Sequence, residues 1–269
     1  MQSPPSTTAS PTDIKESLSL AAKAQAVVDK RSQIKGESKE PAESALKTLS
    51  YKPFSPERAK EVEDNIAREA RREREARKVS IIERSGLPAR HLQQIESGIV
   101  DSDGGEWSSA MAIALKAVKA KKSALLWGHR GPGKTQIAVC VGVDLARECK
   151  GVRYYKAADF FTECREAMHD NKESAAIKKF VQYHLLIIDE AHVRGHSDYE
   201  ERLLTRVFDG RYDAMRPTMV ITNETKGQAN KTLGPSIVSR LVGDGVVIEC
   251  NWTSYRKKSD DRPHTTRHA

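Results

Sequence analysis

The sequence predicts an α/β fold of three layers, with a central parallel sheet covered by helices on both faces. Three observations predict it. Five short apolar runs, at residues 124–127, 152–155, 185–189, 218–222 and 246–250, alternate with helical stretches at 134–147, 159–168, 198–212 and 236–241. Alternation of this kind builds parallel strands joined by crossover helices. The run Leu185-Leu186-Ile187-Ile188 is apolar at every position, as a strand buried on both faces must be. A glycine-rich turn follows the first run directly, where an α/β sheet places its ligands.

Taken in order, residues 1–12 are Ser, Thr and Pro with little to bury, and are expected to form a disordered tail. Residues 13–80 read as a helical, charged N-terminal segment. Asp13 can cap a helix that puts Ile14, Leu18, Ala21 and Val28 near one face. Pro41, Pro53 and Pro56 break the chain between 36 and 56. A second helix at 57–80 is very polar, with eight basic and seven acidic residues and i,i+4 pairs at Asp64–Arg68 and Glu73–Arg77. It reads either as a solvated linker helix or as an arm that docks a partner protein or crosses a nucleic-acid backbone.

The turn is Gly128-His129-Arg130-Gly131-Pro132-Gly133-Lys134-Thr135, set between the run ending at Trp127 and the helix at 134–147. Its glycines let backbone N–H groups converge on a phosphate. Lys134 would reach the β- and γ-phosphates, and the Thr135 hydroxyl would hold Mg²⁺. At ordinary residue frequencies one such match arises by chance roughly 1% of the time in a chain this long. The strand before it and the helix after it argue further against chance. The expected ligands of the turn are therefore a nucleoside triphosphate and Mg²⁺.

The second piece of chemistry is the pair Asp189-Glu190, at the end of the apolar run and some fifty residues after the loop. Asp189 would hold the metal through water, and Glu190 would orient and deprotonate an attacking water. Asn223 ends the next strand, where a neutral amide can bond that water or the γ-phosphate without adding negative charge. Arg240 is a candidate arginine finger, a guanidinium that neutralises developing charge and can come from a neighbouring subunit.

Bulk properties exclude several classes. No stretch approaches the ~18–20 apolar residues of a membrane span, and the N-terminus has no apolar h-region. The four cysteines, Cys140, Cys149, Cys164 and Cys250, have no C-x-x-C spacing, so neither a zinc site nor a disulfide framework is indicated. A cytoplasmic location is expected. Net charge is +8, which is compatible with nucleic acid without establishing it.

Residues 81–258 resemble an AAA+ ATPase of the DnaC-type replicative helicase loader family. The blocks that carry the resemblance are Arg84-Ser85-Gly86-Leu87-Pro88, the phosphate loop, Leu185 to Glu190, Ser197-Asp198-Tyr199-Glu200, Arg216-Pro217-Thr218, Ile221-Thr222-Asn223, Ser239-Arg240-Leu241 and Asn251-Trp252-Thr253-Ser254-Tyr255-Arg256. The resemblance implies a P-loop NTPase fold lacking a C-terminal lid domain, with residues 259–269 a disordered basic tail. It implies that Leu87 contacts the adenine. It further implies that Asn223 is sensor 1, Arg240 the finger acting in trans and Arg256 sensor 2. Arg165, Ser197 and Tyr199 match positions that bind single-stranded DNA, although Tyr199 could equally pack at a helix start. The implied partners are a DnaB-type helicase hexamer, gripped by the N-terminal segment, single-stranded DNA, and further copies in an open ring or spiral.

Two other readings compete. An IstB-like helper of DNA transposition shares the ATPase core, and the N-terminal segment and the 251–256 ending favour the loader. A small-molecule P-loop kinase would need a lid with clustered arginines, and none is visible.

Overall fold

The computed structural model describes residues 55–98, 105–193 and 197–254. The expectations for residues 1–54, for Arg256 and for the C-terminal tail lie outside the described residues. The chain divides into two units, residues 1–63 and 64–269.

The polar helix, α1 (Pro56–Arg84), buries none of its residues. It is about one turn longer than the stretch read from sequence, because Ile81 and Ile82 continue the helix before Gly86 turns the chain at φ +73°. From that turn, Ser85 accepts the Tyr154 amide at 2.7 Å. Two helices that the sequence reading passed over come next, α2 (Ala89–Glu96) and α3 (Glu106–Lys119). The buried face of α3, Trp107, Ala110, Ala114, Ala117 and Val118, keeps helical spacing. Small alanines there let it pack closely on α4 (Lys134–Arg147).

The sheet has five parallel strands: β1 (Ala124–Trp127), β2 (Val152–Lys156), β3 (Leu185–Asp189), β4 (Thr218–Ile221) and β5 (Val246–Glu249). Their order is β2-β3-β4-β1-β5. The register pairs Leu126 with Ile221 and Ile248, and Tyr155 with Ile188. Every residue of β3 and β4 is buried, as the continuous apolar runs require.

Helices α2, α3 and α4 cover one face, where Ile137, Val141, Leu145, Leu126, Ile187 and Trp107 form the core. The other face is covered by α5 (Ala157–His169), α6 (Glu173–Gln182), α7 (Asp198–Asp213), α8 (Lys226–Leu233) and α9 (Pro235–Gly243). Phe160, Phe161, Phe180, Leu203, Val207 and Ile237 fill that second core. The α6 and α8 helices were not read from sequence, although Thr225 and Gln228 form a capping box at the start of α8. The result is the three-layer α/β fold that the alternation predicts, and the P-loop NTPase fold that the resemblance implies. Among the described residues no helix is long and apolar enough to cross a membrane.

Candidate nucleotide site

The strand order positions the site. Because β4 separates β1 from β3, its carboxyl end comes to lie between the loop that follows β1 and the acidic pair that ends β3. Backbone bonds lock this edge: Thr222 N–H donates to Leu126 O at 3.0 Å, and Ala191 N–H to Ile221 O at 3.0 Å.

In the loop, Gly128, Gly131 and Gly133 adopt φ of +128°, +112° and +88°. These values lie in the region open to glycine and costly for other residues. Space forbids a side chain as firmly as φ does. A Cβ on Gly128 would sit 2.5 Å from the carbonyl oxygen of Cys250, and one on Gly131 would sit 2.0 Å from Ser254 Oγ. The segment after β5 therefore lies against the loop. The side chains of His129 and Arg130 are exposed, while Pro132 is buried.

Gly133 is the N-cap of α4, so the first turn of that helix presents its amides and its positive dipole end to the loop. The Lys134 ammonium is buried and donates to the carbonyls of Gly128 at 2.8 Å and His129 at 2.6 Å. Thr135 donates its hydroxyl to Asp189 Oδ2 at 2.7 Å, across 54 residues of sequence. The two expected metal-holding residues are thus in direct contact.

Sequence reasoning missed Tyr154, whose hydroxyl donates to the same oxygen of Asp189 at 2.9 Å. Burial, and then the Asp189 carboxylate itself, push the Tyr154 phenol well above its ordinary range, so it remains a donor at neutral pH. The other oxygen, Asp189 Oδ1, accepts the Glu190 amide at 2.7 Å. Asp189 is almost completely buried, 4% exposed, with these donors around it.

This donor set fits a hard divalent cation: a hydroxyl and a carboxylate, all oxygen. Among the described residues no group of three or more His, Cys, Asp or Glu could hold a metal alone. An ion here would take its remaining ligands from the nucleotide's phosphates and from water, as Mg²⁺ prefers.

Glu190 adopts φ +54°, a left-handed conformation that costs a non-glycine residue about 1–2 kcal/mol. Lys156 Nζ lies 3.6 Å from the Oε2 of its carboxylate. Asn223 meets His192, a residue the sequence reading did not single out. His192 Nδ1 lies 3.5 Å from the Asn223 amide N, and Nε2 lies 3.4 Å from Nδ2.

Other expected positions lie elsewhere or are otherwise engaged. Leu87 is buried in the core beside Gly142 and Val152. Arg240 Nη1 lies 2.6 Å from Asp209 Oδ1 and donates to Ser236 Oγ at 2.8 Å, with its guanidinium 5.5 Å from the Tyr212 ring centre. Arg165, Ser197 and Tyr199 do come together, where α5 meets the start of α7. Arg165 Nη1 bonds Glu200 Oε1 at 3.0 Å, and Ser197 Oγ accepts the Glu200 amide at 3.3 Å as the N-cap of α7. Tyr199 is part-buried and donates to Cys164 O at 3.5 Å. It packs at a helix start, one of the two roles open to it from sequence.

Several known proteins are similar to this chain. The chain is 28% identical over 134 residues to the replicative helicase loader DnaC of Escherichia coli K12, covering 49% of this chain and 55% of that protein. It is also 28% identical over 159 residues to an insertion-sequence ATP-binding protein of Sinorhizobium fredii, covering 56% and 53%. The chain thus spans about half the length of these curated relatives. Among solved structures, the replication initiator DnaA bound to AMPPCP and single-stranded DNA superposes with a TM-score of 0.52 at 18% identity, over 62% of this chain and 52% of that one. That likeness concerns the fold alone. The family model for IstB-like ATP binding proteins matches residues 42–262, and the chain belongs to that family.

Proposed function

We propose that this protein is an ATPase that binds a DnaB-type replicative helicase and single-stranded DNA, and helps place the helicase on DNA. The contact between the Thr135 hydroxyl and Asp189 carries the nucleotide half of this reading, since it joins the phosphate loop to the metal-holding carboxylate. When bound, Mg²⁺ supplies charge neutralisation on the phosphates. Lys134 and the loop amides bind those phosphates, Thr135 and Asp189 hold the ion, Glu190 takes the proton of the attacking water, and Asn223 orients that water. Arg240 completes the site of a neighbouring copy, which makes hydrolysis slow in isolation and dependent on assembly.

The loader role rests on the ordered blocks described above, which run from Arg84 through the ending Asn251 to Arg256, and on the likeness to DnaC. A second reading, an ATPase helper of DNA transposition, is favoured by the family match and by the equal identity to the insertion-sequence protein. One experiment separates them. The full chain is mixed with the cognate replicative helicase or with a transposase, with and without MgATP, and co-purification is scored beside ATP turnover on single-stranded and duplex DNA. Retention of the helicase and stimulation by single strands are expected. Retention of the transposase alone, with stimulation by duplex alone, overturns the loader in favour of the helper.

A further inference from the structure

Two indoles touch the phosphate loop, one from before it in the sequence and one from after it. Trp252 Nε1–H donates to the carbonyl oxygen of Pro132 at 2.9 Å, across 120 residues. Trp107 Nε1–H donates to the carbonyl oxygen of Gly133 at 3.4 Å.

The geometry of an anion cradle makes these carbonyls decisive. A trans peptide unit is planar, and its C=O and N–H point in opposite directions. The Pro132 carbonyl shares a peptide plane with the Gly133 amide, and the Gly133 carbonyl shares one with the Lys134 amide. For those two amides to face a phosphate, both carbonyls must turn away from it and find donors on the far side. The Gly133 carbonyl is already held by the first bond of α4, from Ile137 N–H at 3.0 Å. Pro132 precedes the cap and stands outside that helical ladder. Its carbonyl is held by Trp252.

Indole suits this task. It is a donor with no acceptor, so it serves the carbonyl without competing for the amides that a phosphate needs. The neighbouring contacts agree: Cys250 and Ser254 press against Gly128 and Gly131, leaving no room for a side chain between segment and loop.

We propose that Trp252 is a positioning residue of the nucleotide site. By holding the Pro132 carbonyl outward, it aims the Gly133 amide into the phosphate cradle and makes residues 250–254 part of the binding site. This inference rests on the nucleotide reading of the loop.

The test compares the full wild-type chain with Trp252→Phe, which keeps the aromatic bulk and removes the N–H, and with Lys134→Ala. Affinities for MgATP and for magnesium tripolyphosphate are measured by titration calorimetry, and the nucleotide-free unfolding midpoint by scanning calorimetry. Trp252→Phe is expected to bind both ligands about tenfold more weakly, ~1.4 kcal/mol, with a midpoint within about 2 °C of wild type. Equal loss on both ligands assigns the defect to the phosphates rather than to the adenine. Binding within about twofold of wild type overturns the inference. So does a midpoint lowered by more than about 5 °C, which would make Trp252 a packing residue. If Lys134→Ala binds MgATP as wild type does, the nucleotide reading itself falls; if only Trp252→Phe does, this inference falls alone.

Discussion

Asp189 Oδ2 accepts two hydroxyls, and they serve different ends. Thr135 can exchange its bond for a metal ion, because its hydroxyl oxygen is itself a ligand atom. Tyr154, buried and kept protonated beside the carboxylate, fixes the direction in which that carboxylate points. Partners of this outer kind commonly tune metal affinity by an order of magnitude or more. Tyr154→Phe is therefore expected to raise the Mg²⁺ concentration needed for half-maximal ATP binding about tenfold while leaving the fold intact. A Mg²⁺ titration of ATP binding, with circular dichroism as the control, checks it, and an unchanged Mg²⁺ requirement counts against the role. Arg240 raises a different question at the same scale. Its guanidinium lies beside Asp209, Ser236 and the ring of Tyr212, and acting on a neighbouring copy would require it to leave them. Arg240→Ala is expected to bind ATP as wild type does and to lose DNA-stimulated hydrolysis. Full stimulated turnover in that variant would remove Arg240 from the mechanism.

Among the elements, the junction of α6, α7 and β4 depends on one buried cation. Arg211 is fully buried, and the oxygens it bonds are neutral: Thr218 Oγ1 at 2.9 Å, and the carbonyls of Phe180 at 2.6 Å, Val181 at 3.5 Å, Tyr183 at 3.0 Å and Pro217. Burial lowers its pKa to about 9, yet the planar fork still satisfies several carbonyls at the end of α6 and the entry to β4. Arg211→Leu strands those carbonyls in the core and is expected to cost about 3 kcal/mol, or roughly 6–12 °C in midpoint. Arg211→Lys should restore little of it, since an ammonium cannot span the same acceptors. Thermal unfolding of the two variants decides the matter, and a midpoint equal to wild type would make the cluster dispensable. The α1 helix stands at the opposite extreme, with no buried residue along 29 positions. Its interspersed charges support it in water through i,i+3 pairs such as Lys78–Glu75.

For the whole molecule, the site is assembled from five separate stretches: the loop after β1, Tyr154 in β2, the Asp189-Glu190 end of β3, Asn223 after β4, and the segment after β5. A ligand that engages all of them binds the native state and has no counterpart site in the unfolded chain. MgATP at 100 times its Kd should therefore add about 2.7 kcal/mol of stability, read as a rise in the unfolding midpoint. Lys134→Ala should abolish that rise. A wild-type midpoint that does not move with saturating MgATP would contradict the nucleotide site altogether.

Much of this was legible before any fold was in hand. Local rules suffice for the strands: β1 and the stretch Leu185 to Ile188 of β3 coincide with the apolar runs, because burial on both faces admits a polar residue only where it is hydrogen-bonded, as Asp189 is at the end of β3. The α3 helix was legible too, from its alanine-rich face, and α8 from its capping box, although neither was read. Other features were not written locally. Nothing in the sequence near Tyr154 or His192 marks either as a neighbour of Asp189 or Asn223, because those contacts span 35 and 31 residues.

The sequence by itself determined the strand–helix alternation and the chemistry of the glycine turn and its acidic counterpart. Those follow from periodicity and residue type, which act over a few positions. The tertiary structure alone decided that β4 lies between β1 and β3, that Tyr154 shares an oxygen with Thr135, and that Trp252 reaches the Pro132 carbonyl. The physical reason is one of range. Strand order and side-chain contacts across many residues emerge from packing both faces of one sheet at once, which no short window of sequence contains.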